Sequence, residues 1–173
     1  MNKNVVICDL DGTLADVNHR LHYIKNDDGT LKPYAERDWD SFNDACRYDA
    51  PNEDVMDILR SLMLAAHWGK SEAPPREREV YILSGRNDVV RDTTVAWIQK
   101  YVLPDESRLA INKKLRMRKA DDRRPDTEVK LEMVRELGLT PDDVLCVLDD
   151  RQCVVDMWRK NGFRCLQVDA WEE

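Results

Sequence analysis

Apolar residues along this chain gather in short unbroken runs, separated by stretches in which they recur every three or four positions. That pattern predicts strands alternating with amphipathic helices. The first run, Val5-Val6-Ile7-Cys8, is apolar on both faces and predicts a fully buried strand at the centre of a parallel sheet. Val80-Tyr81-Ile82-Leu83 and Val144 to Leu148 repeat it, Leu115 to Arg118 alternates as an edge strand, and a last strand falls near Arg164 to Val168. Helical spacing follows Pro51 (Val55, Ile58, Leu59, Leu62, Met63) and returns from about Asp88 to Tyr101, where it buries Val89, Val90, Thr93, Trp97 and Ile98. Another helix, capped by Asp126 or Thr127, runs to Leu137 before Gly138, and one more spans about Gln152 to Lys160 before Asn161-Gly162. Residues 15–50 are polar, with turns at Asn26-Asp27-Asp28-Gly29 and Lys32-Pro33, and predict an excursion or small cap segment rather than core. The expected architecture is a doubly wound α/β domain over residues 1–173, with right-handed crossovers in a parallel sheet.

Three of these strands end in polar clusters: Asp9-Leu10-Asp11, Ser84-Gly85-Arg86 and Asp149-Asp150. Parallel strands put all three at one edge of the sheet, where open α/β sheets bind ligands. In an extended stretch Asp9 and Asp11 point the same way, and Gly12 lets the chain turn sharply beside them. Two carboxylates at one spot repel and call for a metal ion or a shared proton. Gly69-Lys70-Ser71 imitates the end of a phosphate-binding loop, but position 64 is Leu in a helical stretch, which excludes that motif.

Composition narrows the class. With 42% apolar and 35% charged residues the chain is globular, no run approaches a membrane span, and nothing resembles a signal peptide. The five cysteines are odd in number and lack CxxC spacing, which predicts reduced thiols in a cytoplasmic protein. A net charge of −7 argues against a generic nucleic-acid binder. Between Arg108 and Arg124, however, eight of seventeen residues are basic, which predicts either a solvated charged strand and loop or a local anion-binding rim.

The string Asp9-Leu10-Asp11-Gly12-Thr13-Leu14 after an apolar strand resembles the signature of the haloacid dehalogenase superfamily, and the later clusters stand in that superfamily's order. The resemblance implies its Rossmann-like fold, a Mg²⁺ ion, and an aspartyl-phosphate mechanism. It implies Asp9 as nucleophile, Asp11 as acid and base, and Ser84 and Lys130 as phosphoryl-binding groups. Asp9, Asp11 and Asp150 are the implied metal ligands, with Asp149 a further candidate. A lysine in the first turn of a helix opposes the helix dipole, so Lys130 is expected to reach towards an anion. Arg20 eleven residues after Asp9, Ser84-Gly85-Arg86, Asp126 four residues before Lys130, and LDDRQCVVDMWRKNGFRCLQV resemble the phosphatase half of phage polynucleotide kinase-phosphatases. This implies hydrolysis of the 3′-phosphate of a nucleic-acid end, with Gly85, Arg86, Arg20 and Asp126 in the substrate site. The kinase half is absent from this sequence, which implies a free-standing phosphatase with a separate kinase or ligase as partner. A small-molecule phosphatase acting on mononucleotides is the competing expectation, favoured by the acidic charge.

Overall fold

The structure is a computed structural model that describes residues 3–64 and 78–171. The Gly69-Lys70-Ser71 and Pro74-Pro75 stretches lie outside the described residues. In chain order the elements are β1 (Val5–Cys8), β2 (Ala15–Asp16), α1 (Trp39–Asp44), β3 (Ala50–Pro51), α2 (Glu53–Leu64), β4 (Glu79–Asn87), α3 (Arg91–Tyr101), α4 (Arg108–Lys114), β5 (Leu115–Arg118), α5 (Asp126–Glu136), β6 (Val144–Arg151), α6 (Gln152–Lys160) and β7 (Cys165–Trp171). Five strands form one parallel sheet in the order β5-β4-β1-β6-β7. β1 is central and all four of its residues are buried, as an apolar run flanked by strands on both sides requires. One core layer joins the sheet to α2, α3 and α4, and a second joins it to α5 and α6, so the sheet is doubly wound.

The excursion is closed at its base by antiparallel pairing of Ala15 with Pro51 and Asp16 with Ala50. It is less peripheral than its polarity suggests, because Val17, Ile24, Phe42 and Cys46 are buried. Other elements also depart from the pattern-based expectation. Asp88–Val90 forms a tight 3-10 turn, with the Asn87 side chain accepting from the Val89 N–H, and α3 starts only at Arg91. Val89 is exposed in that turn, and α3 buries Thr94 and Val95 together with the expected Trp97 and Ile98, while Thr93 and Val90 are half-buried. The basic stretch opens with a helix, α4, which Ser107 caps by accepting from the Ala110 N–H. Gly138 and Gly162 end α5 and α6 as expected. Four cysteines are buried thiols and Cys153 is exposed. No helix among the described residues is long and apolar enough to cross a membrane.

Candidate active site

The carboxyl ends of β1, β4 and β6 carry the three polar clusters to one place, as parallel order demands. Asp9, just past β1, is buried, and its N–H donates to the Leu148 carbonyl at 2.9 Å, which ties it to the neighbouring strand β6. From β6 come Asp149 and Asp150, also buried. One carboxylate oxygen from each of Asp9, Asp149 and Asp150 lies within 4.8 Å of the others. From the second turn of α5, Lys130 extends into this group, with Nζ at 2.7 Å from Asp9 Oδ1 and 2.9 Å from Asp149 Oδ2. It is buried and its charge is met by these carboxylates; because α5 begins at Asp126, Lys130 lies beyond the first turn, so the helix dipole is not what directs it to an anion.

Three carboxylates around one ammonium leave a buried excess of negative charge. Burial pushes the Asp9 carboxyl well up, and Asp149 and Asp150 add to this against the attraction of Lys130. Burial, then the neighbouring Asp149, pushes Asp150 up to about 6. Lys130 would be lowered by burial, but Asp149, Asp9 and Asp126 outweigh this and hold its ammonium above the usual range. An all-oxygen donor set with unbalanced negative charge suits a hard divalent cation, so these residues fit Mg²⁺.

Asp11 does not join that group with its side chain. β1 ends at Cys8, and beyond it the chain turns, so the extended geometry that aligns residues two apart no longer holds. The Asp11 carboxylate faces the Arg20 guanidinium at 2.7 Å and the Arg86 guanidinium in a close ion pair. Burial alone would raise it, but Arg86 and Arg20 outweigh burial and hold it well below the usual carboxylate range. Of the expected ligands Asp9, Asp11 and Asp150, with Asp149 a further candidate, the side chains of Asp9, Asp149 and Asp150 converge, while the Asp11 carboxylate is paired with two guanidiniums.

Behind Asp11 stands a residue that sequence reasoning missed. Asp49, at the end of the excursion, accepts from Arg20 at both oxygens (2.7 and 2.8 Å), from Arg86 at 2.7 Å, and pairs with His19 at 2.9 Å. Its backbone carbonyl accepts from the Trp97 indole N–H at 2.8 Å. Arg20 also donates to the Phe42 carbonyl and lies over that ring, and Arg86 donates to Thr94 Oγ1. Both arginines are buried, so they act on Asp11 from behind rather than facing solvent. No local signal marks Asp49, since only the return of the chain through β3 buries it.

Ser84 is buried in β4, and its Oγ accepts from the Arg86 N–H at 3.1 Å, which leaves the hydroxyl proton to donate. Gly85 has a steric reason: a Cβ there would strike the Asp126 carboxylate. Asp126 does not cap α5. Its carboxylate pairs with Arg118 (2.9 Å) and Arg151 (3.1 Å) and approaches Lys130 (3.9 Å). Burial would raise it, but Lys130, Arg151 and Arg118 hold it below the usual range. Thr13 Oγ1 donates to Asp150 Oδ1 at 3.2 Å, and Gly12, at φ +86°, leaves room for the same carboxylate. The Gly12 N–H itself is taken up inside the turn by the Ala15 carbonyl. Of the basic stretch, Arg118 alone reaches the described site residues, while Lys114 pairs with Glu106 and Arg124 with Asp122 and Glu132.

A protein of Autographa californica nuclear polyhedrosis virus named "Putative bifunctional polynucleotide kinase/RNA ligase" is 29% identical over 154 residues, 89% of this chain and 17% of its own length. A chain from the structure of a Pnkp1/Rnl/Hen1 RNA repair complex is 30% identical, with a TM-score of 0.68 over 98% of this chain and 43% of that one. This chain thus spans less than half the length of either relative. A haloacid dehalogenase-like family hydrolase from Streptococcus pneumoniae shares the fold, at 14% identity and a TM-score of 0.53, covering 95% of this chain and 83% of that one. Residues 24–172 match the family described as "Polynucleotide kinase PNKP phosphatase domain". The chain therefore belongs to the PNKP phosphatase domain family, phosphatases of the haloacid dehalogenase superfamily.

Proposed function

We propose that the chain is a Mg²⁺-dependent polynucleotide 3′-phosphatase that works through an aspartyl-phosphate on Asp9. The observation that carries this reading is the buried Lys130 held between Asp9 and Asp149 beside Asp150, an anion-binding ammonium and a cation-binding carboxylate group sharing one cleft. Asp9, Asp149 and Asp150 would hold the ion. Bound there, Mg²⁺ would offset the repulsion between carboxylates and a phosphate dianion.

An Asp9 oxygen attacks phosphorus, a new P–O bond forms, and the bond to the sugar oxygen breaks. Lys130 Nζ and the Ser84 hydroxyl stabilise the phosphoryl oxygens as charge spreads over them. Asp11 returns a proton to the leaving oxygen and later takes one from the water that cleaves the acyl phosphate. In the free protein Arg20 and Arg86 keep Asp11 ionised, so its proton must arrive with substrate, whose own negative charge favours protonation nearby. As the base of the second step Asp11 is already in the required form.

For a nucleic-acid end, support comes from the family match and from Arg118 and Arg151, partly exposed cations that meet at Asp126 beside Lys130. In this reading they would meet the phosphate next to the reacting one. The names of the relatives favour an RNA repair setting with a kinase or ligase as partner. A mononucleotidase is the second reading, favoured by the −7 charge. Phosphate release from a 3′-phosphorylated oligonucleotide and from a 3′-mononucleotide, assayed side by side with Mg²⁺, tests the proposal. A mononucleotide that is the better substrate would overturn the polynucleotide assignment.

A further inference from the structure

Asn52 sits where the excursion rejoins the sheet, directly before α2. Its N–H donates to the Leu14 carbonyl at 2.9 Å, and its own carbonyl accepts the first helical bond, from Met56 N, at 2.9 Å. An asparagine at such a position is ordinarily a helix cap, with its side-chain oxygen accepting from the first turn. Here the side chain turns the other way. Its Nδ2 donates to the Thr13 carbonyl at 2.9 Å and approaches the Gly12 carbonyl at 3.4 Å. Two carbonyl oxygens can be met only by the NH₂ end, so the orientation of the amide is set by chemistry. The turn it grips separates Asp11 from β2, and Thr13 in that turn holds Asp150. Asn52, Gly12 and Asp150 also line one cavity of about 120 Å³.

We infer that Asn52 is a positioning residue: it latches the Gly12-Thr13 turn, and through that turn keeps Asp11 and Asp150 in register for phosphoryl transfer. This rests on the phosphatase reading above. The latch spans the excursion base and the catalytic turn, so residues that arrive by two chain segments are held as one rigid unit.

Two substitutions separate a latch from a cap. Asp is as good a helix cap as Asn but cannot donate, and Gly is a tolerated cap that adds no charge. Asn52→Asp and Asn52→Gly are both expected to keep the thermal midpoint within about 2–4 °C of wild type. Both should lower kcat on a 3′-phosphorylated oligonucleotide by roughly ten- to a hundredfold with little change in KM. Hydrogen exchange at the Gly12 and Leu14 amides should rise on the order of tenfold in both variants. Unchanged kcat in Asn52→Gly, whether or not exchange rises, overturns the positioning role. A loss confined to Asn52→Asp does so too, because it would report repulsion of Asp150 by the new carboxylate. If wild type releases no phosphate from any monoester, the phosphatase reading fails instead, and the exchange rates still decide whether the latch exists.

Discussion

Lys130 Nζ and Asp9 Oδ1 lie 2.7 Å apart, so the ammonium proposed to stabilise phosphoryl oxygens is paired, before substrate arrives, with the carboxylate proposed to attack phosphorus. The pairing holds both groups in a dry, fixed place and keeps the lysine charged. An incoming phosphate then replaces one anion with another at the same ammonium, which needs little rearrangement.

Asp9→Asn is expected to abolish turnover with the fold intact, because an amide is no nucleophile here. Mass spectrometry of the trapped enzyme should find the phosphoryl group on Asp9, and its appearance on any other residue would refute the assignment. Lys130→Met should lower kcat by roughly 10²- to 10³-fold.

Asp11→Asn removes the proton carrier, a loss of about 10²- to 10⁴-fold on a sugar phosphate. An aryl phosphate needs less protonation of its leaving group, so its loss should be smaller. Equal losses on the two substrates would count against the acid role.

The metal-free protein should grow less stable as pH rises. Asp150 has a folded pKa of about 6 against an ordinary value of 3.8, so between these the folded state binds the extra proton and stability falls with rising pH. The effect is bounded at about 3 kcal/mol, taking 1.36 kcal/mol per unit. Asp150→Asn should raise the urea midpoint of the chelated protein at pH 7, flatten its change between pH 5 and 7, and abolish stabilisation by Mg²⁺. Ca²⁺ should support activity poorly, since its looser coordination spoils in-line geometry.

Asp49→Ala removes a buried carboxylate from two buried arginines, and breaking such a network by one partner costs about 3–5 kcal/mol. Equilibrium unfolding in urea measures it, and a loss no larger than that of a surface substitution would show that Asp11 alone suffices to hold Arg20 and Arg86.

On the substrate side, Arg118→Gln with Arg151→Gln should weaken an oligonucleotide and flatten its salt dependence by about 0.7 for each phosphate no longer neutralised, while sparing a 3′-mononucleotide. Neutralising Lys113, Lys114 and Arg116 should alter neither, because Lys114 pairs with Glu106 and Arg116 with the Lys113 and Leu115 carbonyls rather than with the Asp126 and Lys130 group. If the mononucleotide responds like the oligonucleotide, the rim does not read a strand.

The local features of this protein can be read from its residues alone. An unbroken apolar run is a buried strand wherever it lies, and polar residues at its end must gather with those of its parallel neighbours. That is why Asp9, Ser84, Asp149 and Asp150 are legible at one edge, whereas the helix-dipole argument for Lys130 assumes a first-turn position that α5, beginning at Asp126, does not give it. Tertiary structure decided what depends on chain return. Asp49 is buried only because β3 pairs with β2, and it draws Arg20 and Arg86 inward with it. Those two guanidiniums then turn Asp11 away from the carboxylate group that its spacing from Asp9 suggested. Asp126 had the sequence of a helix cap, but Gly85 beside it and the arrival of Arg118 and Arg151 made it an ion-pair centre. Local spacing sets which way a strand or helix presents a side chain; which charge stands opposite it is set only when distant segments meet, and that pairing governs the chemistry of the carboxylates.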